Sequence, residues 1–198
     1  MHELRVITEE VNACRLCRLA SYRNNAVAGE GAFNACIMLV GEAPGAREDK
    51  EGRPFVGLAG RILDEALSNA GLDRSMLFIT NVVKCRPPDN RRPKRDEIER
   101  CMDYLLRQIS AIRPYIVCLL GATAHDALIH NGRFKEHRGR FITMGDRIYF
   151  TTYHPAALVY NRALRRVFMS DIKMIAALAS LICSPYLRSI VSIYSYLL

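Results

Sequence analysis

Three loops of this chain carry residue types that could do chemistry, and four of its cysteines have a spacing that could hold an inorganic centre. The first loop reads Gly41-Glu42-Ala43-Pro44-Gly45 and runs on to Gly52-Arg53-Pro54-Phe55-Val56-Gly57. Its glycines permit a tight turn and a close backbone approach to a ligand. No Gly-Lys-Ser/Thr follows, so this is not a nucleotide-phosphate loop, and it does not match a dinucleotide fingerprint. Phe55, flanked by glycines, is either a stacking platform for a planar ligand or a plug in the core. The second loop starts at Thr80-Asn81, where an amide can read the donor–acceptor edge of a base or simply cap a turn. The third is His154-Pro155-Ala156-Ala157-Leu158. An imidazole ahead of a proline-stiffened turn is suited to stabilising developing negative charge.

Cys14 and Cys17 form a pair two residues apart, and Cys85 and Cys101 follow further along. Four thiolates can bind either zinc or a [4Fe–4S] cluster, and the spacing alone does not choose between them. Cys36 and Cys118 sit in apolar runs and Cys183 in an apolar tail, so these three read as packing residues. Basic residues also cluster. Residues 84–95 hold Lys84, Arg86, Arg91, Arg92, Lys94 and Arg95 among three prolines; Arg133, Lys135, Arg138 and Arg140 form a second group, and Arg162, Arg165 and Arg166 a third. With a net charge of +8 and a pI near 9.3, the chain suits a polyanion, nucleic acid first. Arg86, Arg91, Arg92 and Arg162 are the expected phosphate contacts.

The elements that must position these residues follow from periodicity. Short apolar runs at 36–40, 77–83 and 115–120, with a β-branched and aromatic run at 147–153, read as buried strands. Between them Ile62, Leu63, Ala66, Leu67 and Ala70 share one helical face, with Gly71 as the stop; Ile98, Met102, Leu105, Leu106 and Ile109 repeat the pattern. Residues 122–129 and 165–181 resemble them. Strand–helix alternation predicts an α/β fold: a three-layer sandwich with a central, mostly parallel four-stranded sheet flanked by helices. Ligands of such sheets bind beyond the carboxyl ends of the strands, which is where the three loops fall. The 198 residues suit one domain, 1–198, with a helical extension at 1–35 that supplies cluster ligands and an apolar tail at 183–198. The N-terminus lacks the apolar stretch of a signal peptide, so an intracellular, reducing compartment, cytoplasm or nucleoid, is expected. The uncharged run 174–187 is short of the ~20 residues that span a bilayer. It reads as a core helix plus tail, and no membrane partner is expected.

The strings GEAPGAREDKEGRPFVGLAGRILD, TNVVKCRPPDNRRP and HPAALV, with the four spaced cysteines, resemble the iron–sulfur-containing family-four uracil-DNA glycosylases over residues 14–177. The resemblance implies a structural [4Fe–4S] cluster on Cys14, Cys17, Cys85 and Cys101. It implies hydrolysis of the N-glycosidic bond of uracil in single- or double-stranded DNA, leaving an abasic site for base excision repair of deaminated cytosine. Gly41, Glu42 and Ala43 would contact uracil, Phe55 would stack on it, Asn81 would read its polar edge and His154 would stabilise the departing anion. Asn90 matches a position near the pocket, and Leu158 would wedge into the vacated base stack. Well-studied members of the wider superfamily carry an aspartate where Ala43 stands, so Glu42 is the expected positioner of the attacking water. Glu48 is the next candidate for that role, or the residue that crowds a thymine methyl. No histidine lies between Asn81 and Cys101, which implies turnover without covalent trapping of the sugar. A monomer is expected, with the tail free to meet a replication or repair partner. The competing reading is a non-catalytic iron–sulfur or zinc nucleic-acid-binding module, which leaves Phe55, Asn81 and His154 unexplained as a group.

Overall fold

In the computed structural model, which describes residues 2–183, the apolar runs become strands whose successive side chains feed two separate cores. The elements run α1 (His2–Ala13), β1 (Glu30–Gly31), β2 (Ile37–Gly41), α2 (Ala46–Glu51), α3 (Leu58–Asn69), β3 (Phe78–Asn81), α4 (Arg95–Ile112) and β4 (Ile116–Leu120). They continue α5 (Ala122–Leu128), α6 (Phe134–His137), β5 (Phe141–Met144), β6 (Arg147–Thr152), α7 (Ala157–Tyr160) and α8 (Leu164–Ile182). In β2, Met38 and Val40 face one side with Ile7, Val11, Leu105 and Ile109 of α1 and α4. Ile37 and Leu39 face the other, with Leu63 and Leu67 of α3 and Ile172 and Ile175 of α8. The two-residue period of a strand thus puts helices on both faces of the sheet.

The sheet has six strands in the order β1-β3-β2-β4-β6-β5, which corrects the expected four-stranded, mostly parallel sheet. The inner four pair in parallel, but β1 and β5 add antiparallel edges to β3 and β6. Neither edge announces itself in the sequence. β1 is two residues long, and β5 is only half-buried, with exposed positions alternating, so it lacks the apolar run that marks a central strand.

The N-terminal helix is held to the body by charge as well as packing. Ile7 and Val11 are buried against α4, and Arg107 of α4 grips Glu10, with Nη2 donating to Oε1 at 3.0 Å. Cys36 and Cys183 are joined in a disulfide between the start of β2 and the end of α8, which corrects their reading as packing residues; Cys118 is a buried free thiol in β4. The apolar tail beyond Cys183 lies outside the described residues. Among the described residues no helix is long and apolar enough to cross a membrane.

One glycine in α3 couples this packing to the loop before it. A Cβ on Gly60 would run into the main-chain oxygen of Phe55, which itself sits at φ 52°, in the left-handed region that costs a non-glycine residue. The helix can approach the strained turn only because position 60 has no side chain. Gly60→Ala is expected to cost about 1–3 kcal/mol and lower the thermal midpoint by roughly 2–10 °C. A midpoint equal to wild type by calorimetry would show that the contact yields freely.

Candidate active site

The three loops converge at the carboxyl ends of the parallel strands around a cavity of about 470 Å³. Glu42, Ala43, Pro44, Gly45, Glu48, Phe55, Asn81, Asn90, Arg91, His154 and Tyr160 are among its lining residues. Glu42 follows β2 directly, Asn81 ends β3, and His154 stands two residues past β6. Gly41 does not itself line the space but allows it to exist. A Cβ there would sit 2.5 Å from Cζ of Phe55 and still closer to Oδ1 of Asn81.

Phe55 is fixed from two sides. Arg74 donates to the carbonyls of Pro54 and Phe55, at 2.5 and 3.3 Å, while also pairing with Asp64 at 2.7 Å and Glu30 at 3.0 Å. Glu48, buried at the start of α2, accepts backbone N–H bonds from Gly45 at 3.1 Å, Val56 at 2.9 Å and Gly57 at 2.7 Å. The Phe55 ring is buried and lies 5.6 Å from the His154 ring at a tilt of 32°.

Two buried polar atoms in this cavity have no hydrogen-bond partner: Oδ1 of Asn81 and Nε2 of His154. Buried polar atoms are normally satisfied, so a pair left open in one cavity is informative. Asn81 is held from behind. Lys84, itself buried, donates from Nζ to the Asn81 carbonyl at 2.8 Å, to Thr80 Oγ1 at 2.7 Å and to Gln108 Oε1 at 2.7 Å. Lys84 therefore belongs to the core and not to the basic surface of 84–95. His154 accepts the Ala156 N–H on Nδ1 at 3.2 Å, which puts its proton on Nε2, the open position. Burial pushes the imidazole down to about 4, against a smaller upward pull from the Glu48 carboxylate. At neutral pH the residues lining the pocket thus include a neutral imidazole whose Nε2–H has no partner.

The two acids differ in what they leave free. Glu48 spends both oxygens on the three amides, while Glu42 takes the Thr123 hydroxyl on Oε2 and, among the described residues, has no further hydrogen bond on Oε1. Arg92 in turn donates to Thr123 Oγ1 at 2.8 Å and pairs with Asp126 at 3.2 Å. Thr123 was not among the sequence candidates, since a threonine early in a helix gives no sign of a carboxylate 81 positions away.

The expected DNA-contact residues separate. Arg86 bonds Asn90 Oδ1 at 2.8 Å, and Arg91 forms a two-pronged pair with the buried Glu97 at 2.6 and 2.8 Å, so both are committed within the fold. Arg162 lines a second groove with Arg165, Arg166 and Lys173. Leu158 is 4% exposed and packs in the core with Phe55, Leu63 and Phe168.

The cysteine expectation is also corrected. Cys14, Cys17, Cys85 and Cys101 are free thiols that line one cleft of about 10 Å³, room for no more than one water. Among the described residues no group of three or more His, Cys, Asp or Glu is placed so that it could hold a metal ion, which overturns the [4Fe–4S] cluster. Two of the sulfurs are already engaged, Cys101 by the Lys84 N–H at 3.3 Å and Cys85 by Arg23 Nη1 at 3.0 Å. Burial raises both thiols, Cys101 to about 11.

The model of the uracil DNA glycosylase superfamily matches residues 28–176, from before β2 to within α8, and the chain belongs to that superfamily. The type-4 uracil-DNA glycosylase of Saccharolobus solfataricus is 45% identical, covering 88% of this chain and 86% of that protein. The proteins of the same name from Sulfurisphaera tokodaii and Pyrobaculum aerophilum are 46% and 45% identical, covering 90% and 87% of this chain and 86% and 92% of their own length. Within the superfamily its place is in the type-4 branch.

The depressed His154 carries a stability consequence. The unfolded chain binds a proton on this group below about 6.5, while the folded chain stays neutral down to about 4, so folding stability falls as pH drops across that window. Replacing His154 by Gln should flatten this part of the stability–pH curve in denaturant titrations. An NMR titration of the imidazole midpoint at or above 6.5 would refute the assignment.

Proposed function

We infer that this chain removes uracil from DNA by hydrolysing its N-glycosidic bond, leaving an abasic site for base excision repair. The observation that carries the reading is the pair of open buried atoms, Asn81 Oδ1 and His154 Nε2, in one cavity with the Phe55 ring. The uracil must leave the helix to enter such a cavity. Phe55 supplies the stacking face, and the open Asn81 acceptor suits the N3–H of uracil. Cytosine has a bare lone pair there, and would leave a buried acceptor facing an acceptor.

Cleavage breaks the bond between N1 and C1′, leaves the electron pair on the base and builds positive character on the sugar. The neutral Nε2–H of His154 donates to O2 of the departing uracil and holds the charge as it forms. A neutral donor suits this role because it gives a hydrogen bond without having been desolvated as a cation. Water adds to C1′, and the proton it loses ends on the departed uracil anion, giving neutral uracil and the abasic sugar. Glu42 orients that water through the oxygen that Thr123 does not use, and Glu48 is left to shape the loop. Residues 1–198 act as one domain in this reading, a view supported by the packing of α1 on α4. Among the described residues no group is placed to hold a metal ion, so the alternative of a cluster-bearing binding module has nothing particular in its favour.

Incubation with a uracil-containing oligonucleotide followed by alkaline cleavage tests the reading. Strand breaks at uracil are expected in single-stranded and U:G substrates, and intact strands in both would reject it. His154→Ala should lower the single-turnover rate about 10²–10³-fold while DNA binding changes little. Glu42→Gln should slow the same step, and a wild-type rate would remove Glu42 from the role.

A further inference from the structure

We propose that Thr123 is a positioning residue for the excision step: its hydroxyl holds the Glu42 carboxylate by one oxygen and so leaves the other free to orient the attacking water. This rests on the glycosylase reading above and on the place given there to Glu42. A hydroxyl has one proton to give and lone pairs with which to receive. Arg92 donates from Nε to Thr123 Oγ1 at 2.8 Å, and a guanidinium can only donate. The Thr123 proton is therefore available for Oε2 of Glu42, to which the hydroxyl is bonded. A threonine in a helix often turns this proton back onto the carbonyl four positions earlier. Here it goes to a carboxylate 81 positions away, which lines the cavity with Asn81 and His154.

The hydroxyl is itself held in place. Thr123 is buried in the first turn of α5, and the glycine before that helix is tied to the sheet, its N–H donating to the Thr152 carbonyl at 2.8 Å. Gly121 also packs on His154, since a Cβ there would lie 2.9 Å from Cβ of the histidine. The start of α5 thus touches both His154 and Glu42. Arg92 is steadied in turn by Asp126, 3.2 Å from Nη2, and the other Asp126 oxygen lies 2.8 Å from Nδ1 of the buried His125. Glu42 has its main chain fixed by the Val83 N–H, which donates to its carbonyl at 3.1 Å, but that bond leaves the carboxylate free to rotate. Among the described residues, Thr123 supplies the hydrogen bond that the Glu42 side chain makes.

Thr123→Val removes the proton and keeps the shape, and it strands neither neighbour, because Glu42 is half-buried and the Arg92 side chain is exposed. On a uracil-containing duplex at saturating enzyme, its single-turnover rate should fall roughly five- to a hundredfold, while the Kd for the same duplex without uracil stays within about twofold. Thr123→Ser, which restores the hydroxyl, should recover most of the rate. In a Glu42→Gln background Thr123→Val should slow cutting little further, since residues that act as a unit are not additive. A loss of equal size in both backgrounds, or a wild-type rate for Thr123→Val, would overturn the proposal. Thr123→Ala, set against Thr123→Ser, makes the same comparison should the valine variant fail to fold. A wild-type chain that leaves uracil intact would reject the glycosylase reading and this proposal together, whereas a failure confined to the variants leaves that reading standing.

Discussion

The pocket depends on one buried carboxylate. Glu48 ties the turn before α2 to the turn before α3 by accepting three backbone N–H groups, and the Phe55 ring is carried on the second of those turns. Hydrogen bonds to an ionised acceptor are stronger than neutral ones, and here they replace the water that the acid loses on burial. The arrangement holds Phe55 in a left-handed backbone conformation that its own propensity opposes. Arg74 braces the same turn from the outside through its carbonyls. Gly41 and Gly60 then become obligatory, because the fixed ring and its carbonyl leave no volume for a Cβ at either place.

Once that frame is rigid, open polar atoms become affordable. The Asn81 main chain is held by Lys84 and the far ring nitrogen of His154 by the Ala156 N–H, which fixes the backbone of one and the ring of the other. The atoms left over point to a ligand that is itself half donor and half acceptor. Burial sets the protonation state that goes with this geometry. The nearby Glu48 pulls the imidazole toward its charged form, but desolvation is the larger effect and keeps it neutral. A carboxylate with its charge already spread over three amides is a weak counter-ion for a cation, which explains why burial prevails.

Much of this was legible from residue types. The four inner strands and α3, α4, α5 and α8 announce themselves by apolar period, and the convergence of Gly41, Phe55, Asn81 and His154 follows from strand ends in a parallel sheet. What escaped has physical causes. The edge strands β1 and β5 are too short or too exposed to show a buried pattern. Four cysteines at suggestive spacing share one cleft, but it has room for no more than one water, and two of the sulfurs, of Cys85 and Cys101, already accept from Arg23 and from the Lys84 N–H, which spacing cannot reveal. The disulfide of Cys36 with Cys183 joins residues 147 apart, a pairing that only the fold brings together. The inward turn of Leu158 comes from a four-residue helix that is invisible to periodicity.

The excess positive charge is distributed differently from its density along the chain. The richest segment, residues 84–95, has Lys84 in the interior, Arg91 paired with Glu97 and Arg92 bonded to Asp126 and Thr123. The groove of Arg162, Arg165, Arg166 and Lys173 includes one acid, Glu65, which pairs with Arg165, and it stands on and just before α8, the helix that follows the histidine loop along the chain.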